Sequence, residues 1–119
     1  MKFEINKNKS VILMFSIGFF LGILMSTSVF AVDEDAAKAL AKQNNCFKCH
    51  SIDKEKDGPA YQKLAKKYKG KADAEAKLIY HITSGEKAKF PDGHEEEHKV
   101  VKTKDEAQIR NLVQWILAQ

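Results

Sequence analysis

Cys46-Phe47-Lys48-Cys49-His50 is the stretch that decides how this 119-residue chain is read. Two cysteines three positions apart, followed at once by a histidine, form a C-x-x-C-H box, the attachment signature of a covalent c-type haem. At that spacing one turn of chain can carry both thiolates to the two vinyl groups of a porphyrin, forming thioethers. The histidine is then held under the iron. Cys46 and Cys49 are the only cysteines in the chain, so a disulfide or a redox dithiol is the competing use. A thioredoxin-like C-x-x-C should follow a strand in a βαβ pattern, and none is visible. A zinc ribbon would need two more soft ligands at matching spacing, and they are absent.

Upstream of the box, the first thirty residues do not read as part of a fold. Lys2, Lys7 and Lys9 make a basic start, Val11 to Met25 is an almost unbroken apolar stretch, and Val29-Phe30-Ala31 supplies small residues at positions suited to cleavage. Residues 1–31 are therefore expected to be a signal peptide and 32–119 the mature domain. The alternative is an uncleaved membrane anchor, since the stretch extended to Ala31 approaches the roughly 20 residues that span a bilayer. Polar Ser26, Thr27 and Ser28 break the run and favour cleavage. Either way the domain is expected outside the cytoplasmic membrane, in the periplasm, with membrane contact only through the export segment.

The 88 residues from 32 to 119 suffice for one small domain whose core is marginal alone, so a large covalent apolar cofactor would supply much of it. They carry 17 Lys plus Arg against 15 Asp plus Glu, a balance of +2, less basic than the whole-chain value of +4. The lysines are interleaved with acids, and no basic stripe carries aromatics at stacking intervals. A nucleic-acid partner is not implied.

The domain reads as all-α, with no run of alternating β-branched residues and no internal repeat. Asp33, Glu34 and Asp35 open a first helix with Ala37, Leu40 and Ala41 on one face, ending at Asn44 and Asn45. A second begins at Gly58-Pro59, with Pro59 at the first helical position, runs through Tyr61, Leu64, Ala65 and Tyr68, and stops at Gly70. Asp73 can cap a third through Leu78, Ile79 and Ile82, closed by Ser84 and Gly85. Thr103-Lys104-Asp105-Glu106 reads as a capping box for the last, whose Ile109, Leu112, Val113, Ile116 and Leu117 form one buried stripe. The first helix is the expected partner of that stripe.

From about Ala36 onward the chain resembles the small single-haem class I cytochromes c of bacteria. The residues that carry the likeness are the Ala/Leu helix, Cys46-x-x-Cys49-His50, Gly58-Pro59-Ala60-Tyr61, the helix ending in Gly85 and the closing Leu112-Val113-Gln114-Trp115-Ile116-Leu117. The resemblance implies a class I cytochrome c fold, about four short helices around one covalently attached haem c, moving single electrons between redox partner proteins and catalysing nothing. By the same resemblance Cys46 and Cys49 are the thioether anchors and His50 the proximal ligand. Pro59 matches a proline whose carbonyl accepts a hydrogen bond from the proximal imidazole.

The family pattern also places a distal methionine between Gly85 and the last helix. Here there is none: Met1, Met14 and Met25 all lie in the export segment. The loop Phe90-Pro91-Asp92-Gly93-His94-Glu95-Glu96-Glu97-His98-Lys99 offers two histidines instead. His98 is the expected sixth ligand and His94 the alternative, with an open or lysine-ligated iron the remaining case. Replacing a soft thioether with a more basic imidazole favours ferric iron, so a low-potential carrier is expected. Glu95, Glu96 and Glu97 would push the same way if they lie at the haem edge.

His81 falls where relatives carry an arginine that meets a haem propionate, and a plain core or surface histidine is the competing role. Phe90 falls near a family tryptophan that donates to a propionate, which Phe cannot do. Trp115 reads as core rather than electron relay. His94-Glu95-Glu96-Glu97-His98 formally matches the H-E-x-x-H zinc protease box, but it follows Pro91 and Gly93 in a polar loop and lacks a third ligand. The stronger rivals to electron transfer are a haem-based binder of nitric oxide or carbon monoxide, and a haem subunit of a larger redox complex.

Overall fold

The computed structural model describes residues 31–119, so the expected signal segment, Ala31 apart, lies outside the described residues. Four helices carry the domain. The first, α1 (Glu34–Gln43), starts at Asp33, whose carboxylate accepts the Ala36 N–H at 3.0 Å, with Glu34 and Asp35 at the positive end of the helix dipole. Ala37, Leu40 and Ala41 are buried, as their spacing predicts. They pack on the last helix, α4 (Glu106–Leu117), the partner expected for them. Asn111 of α4 pins the start of α1 by accepting from Asp33 N–H and donating to Asp33 O, both at 2.8 Å. With α2 (Tyr61–Tyr68) and α3 (Ala74–Ser84) also packed on α4, the core is arranged around the last helix.

That arrangement corrects the expected stripe. Trp115 is buried at 2 % exposure beside Ile109, Leu112, Val113 and Ile116, whereas Leu117 is only half-buried. A helix packed on several sides buries more than one stripe. Three starts also differ from expectation. Asp105, and not Thr103, caps α4, accepting from Ala107 N–H and Gln108 N–H, while Thr103 Oγ1 accepts from Asp105 N–H. Pro59 lies outside α2, which begins after Ala60. The leading N–H groups of α2 reach back to the segment after His50, Tyr61 N–H to Ser51 O at 2.9 Å and Gln62 N–H to Ile52 O at 3.0 Å. Tertiary carbonyls thus replace a local cap. Asp73 precedes α3 without capping it, its carboxylate pairing with Lys77 at 2.7 Å instead. Gly85, at φ +71°, ends α3 where expected.

The all-α expectation holds for the core but not for the loop after Gly85. There β1 (Lys87–Lys89) and β2 (Glu95–Glu97) pair antiparallel, Lys87 opposite Glu97, Ala88 opposite Glu96 and Lys89 opposite Glu95. Pro91-Asp92-Gly93 makes the turn, with Gly93 N–H on Phe90 O at 3.0 Å and Gly93 at φ +91°, the three-residue hairpin loop that closes through a left-handed residue. No side chain from 86 to 97 is buried, so these strands lack the apolar alternation by which strands are recognised. Cross-strand lysine and glutamate pairs supply the pattern in its place.

Candidate haem site

The Cys46–Lys48 segment is a single 3₁₀ turn entered through Asn45 in the left-handed region, φ +59°. Cys46 O accepts both Cys49 N–H at 3.2 Å and His50 N–H at 2.9 Å. This coil brings the two thiols to one side; both are half-buried and unbridged. Burial raises the Cys46 thiol above its ordinary range.

His50 is held on three sides. Its Nδ1 donates to Pro59 O at 2.7 Å, which fixes the tautomer and leaves the Nε2 lone pair free. The Tyr61 ring stacks on it at 5.3 Å between centroids and 17° between planes. Gly58 closes the third side: a Cβ there would lie 2.6 Å from His50 Cε1, so only glycine leaves room for the ring. Gly58 N–H is meanwhile tied to Cys49 O at 2.7 Å. Burial lowers the His50 pKa, against the Pro59 carbonyl, and so favours the neutral imidazole that metals require.

Cys46, Cys49 and His50 open onto a cavity of about 800 Å³, walled by Leu64, Tyr68, Leu78, Ile82, Val101, Leu112 and Ile116. Its size is that of a cofactor pocket. Across it stands His98, with ring centroids 6.2 Å from His50. Two imidazoles each about 2 Å from one metal ion have centroids about 6 Å apart, so the pair is spaced to share an iron. Burial, reinforced by His81 and His50, lowers the His98 pKa to about 4, and its Nδ1 is buried without a partner. The residues present therefore fit a bis-imidazole haem.

The two candidate distal histidines are separated by the hairpin. Phe90 N–H bonds His94 O at 2.9 Å and His98 N–H bonds Glu86 O at 3.0 Å, so the ladder runs from the turn to the cavity. At about 3.3 Å per residue, His94 sits about 13 Å further along the strand than His98. It is exposed at the tip, stacked on Phe90 at 4.3 Å, with Asp92 on its Nδ1 and Glu96 3.4 Å from its Nε2. Asp92 raises its pKa. In an extended strand the two histidines of the H-E-x-x-H match cannot meet one metal ion, and no cluster of three such ligands occurs among the described residues.

His81 lines the cavity, its Nδ1 2.5 Å from Glu86 Oε1 and its ring 4.2 Å from that of His98. Glu96 and Glu97 reach the cavity wall, whereas Glu95 does not line it. Trp115 packs edge-on against Tyr61, at 5.4 Å, as core. Several residues that build the site belong to no recognisable sequence motif. Gly58 reads in the sequence only as a helix start, and Glu86 belongs to no motif. Asn44 ends α1 as expected, and its buried side chain also donates to Leu40 O at 2.8 Å and accepts Lys102 N–H at 2.9 Å, clamping α1 to the segment before α4. None of these carries a local pattern, because each acts on a residue distant in sequence or on a neighbouring ring.

The description of the family "Cytochrome c" matches residues 34–119. Cytochrome c-551 of Pseudomonas aeruginosa is 35 % identical over 98 residues, 82 % of this chain and 88 % of that protein. Cytochrome c-552 of Hydrogenobacter thermophilus is 36 % identical over 83 residues, 70 % of this chain and 81 % of that one. Among solved structures, the class 1 cytochrome MtoD of Sideroxydans lithotrophicus ES-1 is 72 % identical with a TM-score of 0.72, covering 74 % of this chain and 97 % of that one.

Proposed function

The chain belongs to the cytochrome c family, a single-haem electron carrier and not an enzyme, and on that premise we propose that it is an exported, low-potential carrier with two histidines on its iron. Cys46 and Cys49 anchor one haem c through thioethers, His50 is the proximal ligand and His98 the distal one. The observation that carries this reading is the 6.2 Å separation of the His50 and His98 rings across the cavity. The iron, when bound, takes up and releases one electron. The chain's own residues set how readily. Pro59 O holds the His50 ring, and Leu64, Leu78, Ile82 and Leu112 exclude water. The imidazole of His98 favours the ferric state over what a thioether would, and Glu96 and Glu97 at the cavity wall act in the same direction. Residues 1–31 direct export to the periplasm, where redox partner proteins supply and accept the electron. No described helix is long and apolar enough to cross a membrane.

Optical spectra of His98→Ala and His94→Ala, side by side with a redox titration of the parent, test the reading. Loss of the low-spin form is expected in His98→Ala alone, with a parent midpoint below that of methionine-ligated relatives. Retention of the low-spin form in His98→Ala, or a midpoint as high as those relatives, refutes it.

One observation favours a second reading. The hairpin that presents His98 has no buried side chain from 86 to 97, so it can swing away at low cost and open the iron to carbon monoxide or nitric oxide. Ready carbonylation of the ferrous protein would support such a binder, and indifference to carbon monoxide supports the carrier.

A further inference from the structure

The hairpin ladder runs one rung beyond its strands. Lys87 stands opposite Glu97, and the next rung carries His98 N–H to Glu86 O at 3.0 Å, which sets Glu86 directly opposite His98. Opposite residues send their side chains out on the same face, with Cβ atoms about 5 Å apart. Backbone pairing alone therefore delivers the Glu86 carboxylate beside the His98 ring. His81 steadies it there through the 2.5 Å contact of its Nδ1 with Glu86 Oε1, while its own ring lies against His98 at 4.2 Å, tilted by 43°. His98 Nδ1 is buried and unpartnered, a state that costs free energy until a partner is found.

We propose that Glu86, steadied by His81, is the positioning residue of the distal ligand: with Nε2 of His98 toward the iron, its Nδ1–H is donated to the second oxygen of the Glu86 carboxylate. This rests on His98 being the distal ligand. A carboxylate has capacity for both donors, since its two oxygens offer about four acceptor sites. An anionic acceptor on the far nitrogen fixes the ring plane and makes the imidazole a more basic ligand, which stabilises ferric iron. The proximal side has only a neutral acceptor, Pro59 O, on His50 Nδ1. The distal imidazole is thus the more electron-rich of the two, and His81 is engaged with Glu86 rather than free for a propionate.

The test uses the haem-loaded protein. Glu86→Gln preserves shape and removes the anionic acceptor. The spectrum stays low-spin, the ferric-to-ferrous balance falls about tenfold, which is a midpoint rise of about 59 mV for one electron, and the electron paramagnetic resonance g-values change as the ring is freed. Glu96→Gln removes an equal charge from the same hairpin and moves the midpoint less, with g-values unchanged. Glu86→Asp keeps the charge but shortens the reach, and raises the midpoint like Glu86→Gln. A Glu86→Gln shift no larger than that of Glu96→Gln, or parental behaviour of Glu86→Asp, overturns the proposal. Should His98→Ala remain low-spin, the distal assignment falls and this proposal with it, a failure read from a different variant.

Discussion

Replacing Gly58 with alanine puts one methyl group where the His50 ring now lies. The new Cβ would stand 2.6 Å from Cε1, 2.9 Å from Nδ1 and 3.0 Å from Cys49 O, against the 3.4 Å at which ordinary contact begins. The ring must retreat by about 0.8 Å, and its way is blocked by Tyr61, stacked on the imidazole at 5.3 Å. Overpacking of this kind costs about 1–3 kcal/mol. Stretching the 2.7 Å bond to Pro59 O adds about 1 kcal/mol. At about 4–8 °C per kcal/mol for a domain of this size, a loss of about 2–4 kcal/mol lowers the melting temperature by about 8–32 °C. The midpoint potential also moves, because the proximal imidazole loses its fixed acceptor. Gly93→Ala is the control: nothing lies within 4 Å of its Cβ, so only left-handed backbone strain of about 1–2 kcal/mol is incurred and the midpoint is unchanged. Thermal melts and redox titrations of the two haem-loaded variants decide the matter. A Gly58→Ala protein that melts within about 2 °C of the parent, with its potential intact, would show that the ring has room and that Gly58 does not shape the site.

Three further outcomes are expected. Asn44→Ala strands the Lys102 N–H and removes the clamp between α1 and the approach to α4, so denaturant titration should give a loss of about 2 kcal/mol. Cys46→Ala with Cys49→Ala, made without haem, leaves a cavity of about 800 Å³. A domain of this size, whose core is marginal without the cofactor, does not hold such a void, so circular dichroism should report an unfolded chain. In the haem-loaded protein, acid should leave the low-spin spectrum intact as pH falls through 6.5, with conversion only at lower pH, because burial beside His81 and His50 disfavours a protonated His98. The sign follows from that depression: the unfolded chain takes up the proton first, so His98's contribution to stability is present above pH 6.5 and is lost as pH falls toward 4. Conversion to high-spin between pH 5.5 and 6.5 would contradict it, as would suppression of the acid transition by His94→Ala.

What could be read from the chain alone is what neighbouring residues decide between themselves. Cys46, Cys49 and His50 lie within one turn, so their spacing names the cofactor. The apolar intervals of α1 and α4 follow from helical periodicity, and they name each other as partners because each needs a cover. The missing methionine, too, was legible as a gap in the loop after Gly85. Between His94 and His98 the sequence favours His98 but leaves His94 open, since both sit in one polar loop and either could be brought to the iron by an irregular chain. An exposed hairpin with lysine and glutamate opposite one another in place of apolar alternation sets His98 on the cavity wall and leaves His94 at the tip about 13 Å away. Gly58 against the His50 ring, Asn44 bridging to Lys102 and Glu86 opposite His98 are likewise tertiary facts. The attachment box is written in residues adjacent along the chain, whereas the placement of His98 at the cavity with Glu86 opposite it depends on strand register, which only the folded backbone sets.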